Sequence, residues 1–107
     1  NRMAVDYLLS MHLLRKDRKR FLDDYERYFY PRWGAQPPKV YQQALMMSFD
    51  DESELMESIE RYGISAEVQR DCIDYSRIYV SGGGRGEALQ ERFSRTYWFY
   101  CNYAQMN

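Results

Sequence analysis

The residues of this chain that could do chemistry are few, and each stands alone. His12 is the only histidine, so a Ser/His/Asp arrangement would depend on it, and no second histidine or CxxC spacing offers a metal site. Cys72 and Cys101 fall in helical patterns, where we expect buried or free thiols rather than a disulfide. We therefore expect no catalytic residue, no cofactor and no metal, and we predict that the chain is not an enzyme.

A glycine-rich stretch from Gly82 to Gly86, with Arg85 inside it, could hold an anion at the start of a helix. A phosphate-binding loop, however, normally follows a strand and ends in Lys followed by Ser or Thr. Here Glu87 and Ala88 follow the glycines. We interpret the stretch as a mobile loop between helices.

A basic cluster from Arg15 to Arg20 could contact phosphates, but the chain as a whole carries a formal net charge of only -1. Asp23, Asp24 and Glu26 follow closely and offset much of the local field. We interpret the cluster as a solvated turn and do not expect nucleic acid as the partner. The alternative function is a binder of nucleic acid or another anionic ligand through Arg15 to Arg20 and Arg85.

The elements that must position these residues are all predicted to be helices. Two apolar stripes with helical spacing divide near Lys16 and Asp17, and Pro31 is expected to stop the second helix. The first stripe consists of Ala4, Tyr7, Leu8, Met11 and Leu14, and the second of Phe21, Leu22, Tyr25, Tyr28 and Phe29. Because aromatic residues lie on such stripes, we expect most of the tyrosines in the core.

Four further helices follow from turn signals and caps. The predicted ranges are 37–49, 51–62 ending at Gly63, 65–81 capped by Ser65, and a single last helix from Glu87 to Tyr103. We predict one all-α domain over residues 1–107, with about six helices in antiparallel hairpins. Helix pairs that begin near residues 3, 38 and 66 favour a tetratricopeptide-like helical repeat, whose period is about 34 residues. The alternative is an irregular six-helix bundle.

Several segments of the first half together resemble a known family. Residues 4–14, Phe21, Tyr28–Pro31 and Pro38–Leu45 are similar to the C-terminal soluble region of a family of uncharacterised Bacteroides-type membrane proteins. Its members have a multi-span membrane part followed by tetratricopeptide-like helices, and no assigned activity. The resemblance implies the soluble portion of a bacterial membrane protein, and it transfers no functional residue. The start at Asn1 likewise makes us expect a piece of a longer protein.

The last helix holds the residues for which we predict a binding role. On one continuous helix, Tyr97 lies on the apolar face and Trp98 about opposite it, beside Arg95. Because a tryptophan is rarely left in water, we expect either the loop of Trp33 or a partner to cover it. The predicted interaction surface is Trp98, Phe99 and Arg95.

The predicted function is that of a non-enzymatic helical-repeat module, a structural or protein–protein interaction domain of a larger protein. The partner would be another protein or a domain of the parent protein, with a homodimer as an open alternative. No apolar run approaches the roughly 20 residues that span a bilayer, so we expect no direct membrane insertion of this chain.

Overall fold

The chain folds into helices, as a computed structural model that describes residues 1–34 and 36–104 shows. This part of the chain contains no strand, which confirms the all-α prediction. The helices are α1 Arg2–Leu14, α2 Arg18–Asp24, a π-helical turn Tyr25–Phe29, α3 Tyr30–Trp33, α4 Lys39–Met46, α5 Glu52–Tyr62, α6 Ala66–Ser81, α7 Glu87–Phe93 and α8 Tyr97–Tyr103.

Four of the predicted helix ends lie at the expected residues. Asp17, Asp51 and Ser65 cap α2, α5 and α6, and their side-chain oxygens accept hydrogen bonds of 2.8 to 3.1 Å from backbone N–H groups of the first turn. Gly63 ends α5 in the left-handed conformation, with φ at 66°. Local capping chemistry therefore divides the chain where the sequence predicts it.

Pro31 does not stop the second helix, contrary to expectation. The helix continues to Trp33 and ends at Gly34, because a π-helical turn ends two residues before the proline. In a regular α-helix the proline ring would meet the carbonyl group four residues earlier. The wider turn, in which the backbone N–H of Tyr30 donates to the carbonyl oxygen of Tyr25, changes that geometry. The next helix is also shorter than expected, since α4 begins after Pro38 and ends at Met46.

The predicted single helix from Glu87 to Tyr103 is two helices, α7 and α8, separated at residues 94–96. Thr96 causes the break. Its hydroxyl group donates to the carbonyl oxygen of Phe93 at 2.7 Å and accepts from the backbone N–H of Phe99 at 3.2 Å, which caps a new helix. The break changes the direction in which every later side chain points.

Helix α4 lies at the centre of the molecule, with five consecutive buried residues from Tyr41 to Leu45. It contacts α5, α6 and α8. Two aromatic clusters flank it. One contains Phe21, Tyr25, Phe29, Tyr41 and Tyr62, and the other contains Tyr75, Phe93 and Trp98.

Two buried glutamines of α4 form side-chain hydrogen bonds to the backbone of other elements. The Gln42 side-chain amide donates to the carbonyl oxygen of Pro37, and its oxygen accepts from the backbone N–H of Ser65, both at 2.8 Å. The Gln43 side-chain oxygen accepts from the backbone N–H of Tyr97 at 2.8 Å. Because a buried amide without partners would be costly, these bonds fix where α6 and α8 begin.

Candidate functional site

Helix α1 has two apolar faces, only one of which is covered. Val5, Leu9 and Leu13 are buried in the core. Tyr7 and Leu14 lie on the stripe that was predicted to pack, yet they are 70% and 62% exposed. Ala4 of the same stripe is exposed as well. The predicted core face of α1 is therefore wrong for these three residues, because the helix has apolar residues on two faces and their periodicity does not select one.

The exposed apolar residues of α1 form one line along the helix, which we call the α1 seam: Met3, Tyr7, Ser10 and Leu14. Met3 is 81% exposed, more than either of the other two apolar members. At 100° per residue, the four positions fall within about 60° of one another. Their spacing of four, three and four residues is typical of a helix that packs along another helix.

An apolar groove continues the α1 seam at its C-terminal end. Its volume is about 330 Å³, and α1, the start of α4 and the junction between α7 and α8 form its walls. Ser10, Leu13, Leu14, Val40, Arg95, Thr96, Tyr97 and Tyr100 line it. Ser10 and Leu14 belong to both surfaces, so the α1 seam and the groove form one continuous track.

Two tyrosines of α8 fix the shape of the groove. The hydroxyl group of Tyr97 donates to the carbonyl oxygen of Leu13 at 2.7 Å, and that of Tyr100 donates to the carbonyl oxygen of Leu14 at 2.6 Å. Both carbonyls belong to the last turn of α1, and that of Leu13 also accepts from the backbone N–H of Lys16 at 3.0 Å. Burial raises the pKa of Tyr97 well above its ordinary value. The groove is thus preformed.

The charged groups on this side of α8 are cations. Arg95 is exposed and lines the groove, and no described carboxylate lies within 4.0 Å of its guanidinium group. The Lys16 ammonium group lies 5.5 Å from the centre of the Tyr100 ring and donates to the carbonyl oxygen of Ala104 at 2.6 Å. Burial raises the pKa of Cys101, while a hydrogen bond with Tyr97 and the charges of Lys16 and Arg18 act to lower it.

The structure places Trp98 in the core, which corrects the prediction that it faces away from the packed side of its helix. Its side chain is 3% exposed, its ring centre lies 5.7 Å from that of Tyr75, and its indole N–H donates to the backbone carbonyl oxygen of Gln43 at 2.9 Å. The break at Thr96 explains the difference, because the expected orientation assumed one unbroken helix.

The other residues linked to Trp98 in the prediction lie apart from it. Phe99 is half-buried, with its ring centre 4.6 Å from that of Tyr103. Trp33, one of the two expected covers for Trp98, packs instead on Phe29 at 5.1 Å between ring centres. Of the three predicted surface residues, only Arg95 is both exposed and part of a cavity. The interaction surface as first predicted stays untested for Phe99 and Arg95.

The basic cluster lines a separate, polar cavity of about 530 Å³. Arg15, Lys16, Arg18 and Lys19 meet there, but Asp17, Asp23 and Asp50 line the same cavity. Arg18 already donates to the carbonyl oxygen of Met47 at 2.9 Å. Arg85 does not line this cavity; it lies in another one beside Gly82, Glu87 and Ala88.

The glycine stretch, which we expect to be mobile, is in contact with α8. The Tyr103 hydroxyl group donates to the carbonyl oxygen of Gly84 at 2.8 Å, and the Tyr103 ring lies against Gly86. A Cβ atom at Gly86 would approach that ring to 3.1 Å. Gly83 and Gly84 also have positive φ angles of 65° and 82°, which glycine adopts without strain. These glycines therefore have a structural role.

The residues that could do chemistry remain separate in space. His12 and Asp24 form a half-buried pair with 2.7 Å between Nε2 and Oδ2. Cys72 is a half-buried free thiol, and burial raises its pKa. Within residues 1–34 and 36–104, no group of three His, Cys, Asp or Glu side chains is placed to hold a metal ion.

The model for a family of unknown function, DUF6057, matches residues 1–104. The chain belongs to this family. Comparison with curated proteins and with solved structures gives no significant match. None of the helices described in this DUF6057 chain is long and apolar enough to cross a membrane. The tetratricopeptide-like repeat and the membrane-protein parent stay predictions.

Proposed function

We propose that this DUF6057 chain is a non-enzymatic helical module that serves as a structural or protein–protein interaction domain of a larger protein. In its finer form, the proposal is a tetratricopeptide-like repeat in the soluble part of a bacterial membrane protein. The observation that carries it is the α1 seam, because an apolar helix face in a folded protein is normally covered. Contiguous exposed apolar surface of this kind typically marks a binding site.

The energetic argument concerns Met3, Tyr7 and Leu14. Burial of one large apolar side chain contributes about 1.5–3 kcal/mol, so covering three of them would offset much of the entropic cost of association. In the isolated chain these three side chains remain exposed to water, so their burial does not contribute to stability. A neighbouring helix from another domain or another protein would bury them and gain this free energy.

A photo-crosslinking experiment tests the proposal in the natural protein. Tyr7 is replaced by the photoreactive residue p-benzoylphenylalanine in the host cell, and Met56, which is 61% exposed on α5, is replaced in a matched control. We expect discrete adducts from position 7 and none from position 56. An adduct with a second copy of the protein would identify a homodimer. No adduct from position 7, or equal adducts from both positions, would contradict the proposal.

A second candidate is binding of nucleic acid or another anionic ligand, and the polar cavity beside Arg15 and Lys19 favours it. The three aspartates in the same cavity oppose it. Titration with a mixed oligonucleotide at two salt concentrations tests this candidate, since phosphate contacts weaken steeply as salt rises. Loss of binding in Arg15→Gln together with Lys19→Gln would support it, and salt-independent or absent binding would exclude it.

A further inference from the structure

The track formed by the α1 seam and the groove has the length and spacing of a helix-binding surface. Between Met3 and Leu14, α1 rises about 16 Å, or three helical turns. An amphipathic helix presents apolar side chains at the same three- and four-residue spacing. Its side chains could therefore alternate with those of the α1 seam along the full length of α1.

The groove adds a concave end to this track. Val40, Tyr97 and Tyr100 form apolar walls on the side facing Leu14, and the two tyrosine hydroxyls are already engaged with α1 carbonyls. A volume of about 330 Å³ accommodates one or two large apolar side chains. A concave, preformed pocket favours an inserted side chain over a flat lipid surface.

The charge around the groove selects the partner's chemistry. Arg95 is the only charged residue in the lining that the structure describes, and Arg15 follows Leu14 directly. No carboxylate of the described chain lines the groove. A partner with acidic residues beside its apolar ones would pair with these cations, whereas a basic partner would be repelled.

We propose that this track binds an acidic amphipathic helix of a partner protein. Apolar side chains of the partner pack on Met3, Tyr7 and Leu14, and a carboxylate of the partner pairs with Arg95. The inference rests on the proposed function and specifies the partner within it. The partner carboxylate forms a charge-assisted hydrogen bond at the edge of an apolar groove, where water competes less than on an open surface.

A selection experiment tests the inference with a defined probe. The chain is presented with a displayed library of 18-residue helical peptides (about five turns) in which the polar positions encode Glu, Lys, Gln or Ser with equal frequency. We expect selected peptides to carry leucine-like residues at three- and four-residue spacing and to be enriched in Glu over Lys. Enrichment in Lys, or no enrichment above the naive library, would overturn the proposal.

Variants then locate the binding surface and test its charge. Arg95→Glu should weaken binding of the best selected peptide by roughly tenfold or more, and replacing one peptide Glu by Lys should restore it. Arg77→Glu is the matched control, because Arg77 is an exposed arginine on α6 that does not line the groove. Leu14→Asp should abolish binding. Loss in the control equal to that in the Arg95 variant, or no rescue by the charge exchange, would overturn the proposal.

Two further measurements test whether another kind of molecule binds the track instead. Sedimentation of the chain alone at high concentration tests a second copy, and flotation with vesicles of phosphatidylglycerol and phosphatidylcholine tests an anionic membrane. We expect the chain to be a monomer and not to float with the vesicles. A dimer that the Leu14→Asp variant no longer forms would overturn the inference. Vesicle binding that the Arg95→Glu variant no longer shows would also overturn it. Crosslinks from position 7 together with a failed selection would overturn this inference and leave the proposed function standing.

Discussion

At the scale of single residues, the structure assigns definite partners to most buried polar groups. The buried glutamines of α4, the indole of Trp98 and the hydroxyl of Tyr97 each have one. Tyr25 is the exception within the described residues. It is fully buried among aromatic rings, and its hydroxyl group has no hydrogen-bond partner there. Burial raises the pKa of Tyr25 above its ordinary value.

Removal of this hydroxyl group should therefore stabilise the fold. We expect Tyr25→Phe to raise the free energy of unfolding by about 1 kcal/mol, because a buried polar group without a partner costs roughly 1–3 kcal/mol. Urea denaturation measures the change. Tyr41→Phe is the matched control and should destabilise, since the Tyr41 hydroxyl group donates to Asp6 at 2.5 Å. A destabilised Tyr25→Phe would show that the hydroxyl group has a partner after all.

Acid should weaken the link between the π-helical turn and α5. Nε and Nη2 of Arg61 each donate to a carboxylate oxygen of Glu26 at 3.0 Å, and this hydrogen bonding is the main reason that the pKa of Glu26 is lowered from 4.5. A lowered folded-state pKa gives stability that is present above pH 4.5 and is lost as the pH falls through the folded value. The melting temperature should fall below pH 4.5 less steeply in Glu26→Gln than in the natural chain. Identical slopes would contradict this assignment.

At the scale of elements, the sequence predicts helix ends well where one residue sets them, as at Asp17, Ser65 and Gly63. Prediction from the sequence fails where two different structures are compatible with the same apolar pattern. Helix α1 is apolar on both faces, so spacing alone does not show which face the core covers. Thr96, which caps the start of α8, lies inside an apolar pattern that continues on both sides of it. The orientation of Trp98 depends on the break between α7 and α8 at this residue.

The break at Thr96 is accordingly worth testing by substitution. We expect Thr96→Ala to lower the free energy of unfolding by about 1 kcal/mol, because it removes the cap of α8. Ser94→Ala, two residues earlier at an exposed position, serves as the control and should change stability little. Thermal melting measures both. Equal effects, or a stabilised Thr96→Ala, would mean that one continuous helix is compatible with the fold.

At the scale of the whole molecule, the dimensions explain why apolar surface remains. The principal extents are 40, 34 and 22 Å, and the shortest accommodates two layers of helices about 10 Å thick. In two layers, a helix outside the centre has one uncovered side. Exposed large apolar residues also lie on α4, α5 and α6, namely Val40, Met56, Ile73 and Val80, but α1 has three of them along one line, Met3, Tyr7 and Leu14. The architecture therefore has room for a third layer on α1, and this is the central claim of the proposed function.

Cysteine accessibility tests that claim most directly. In a Cys72→Ala, Cys101→Ala background, Tyr7→Cys and, separately, Met56→Cys are labelled with a maleimide in the isolated chain and in the natural protein inside its host cell. We predict that both positions react in the isolated chain, where both are exposed, and that only position 7 is protected in the cell. Equal labelling of positions 7 and 56 in the cell would contradict the claim that α1 is covered by a partner.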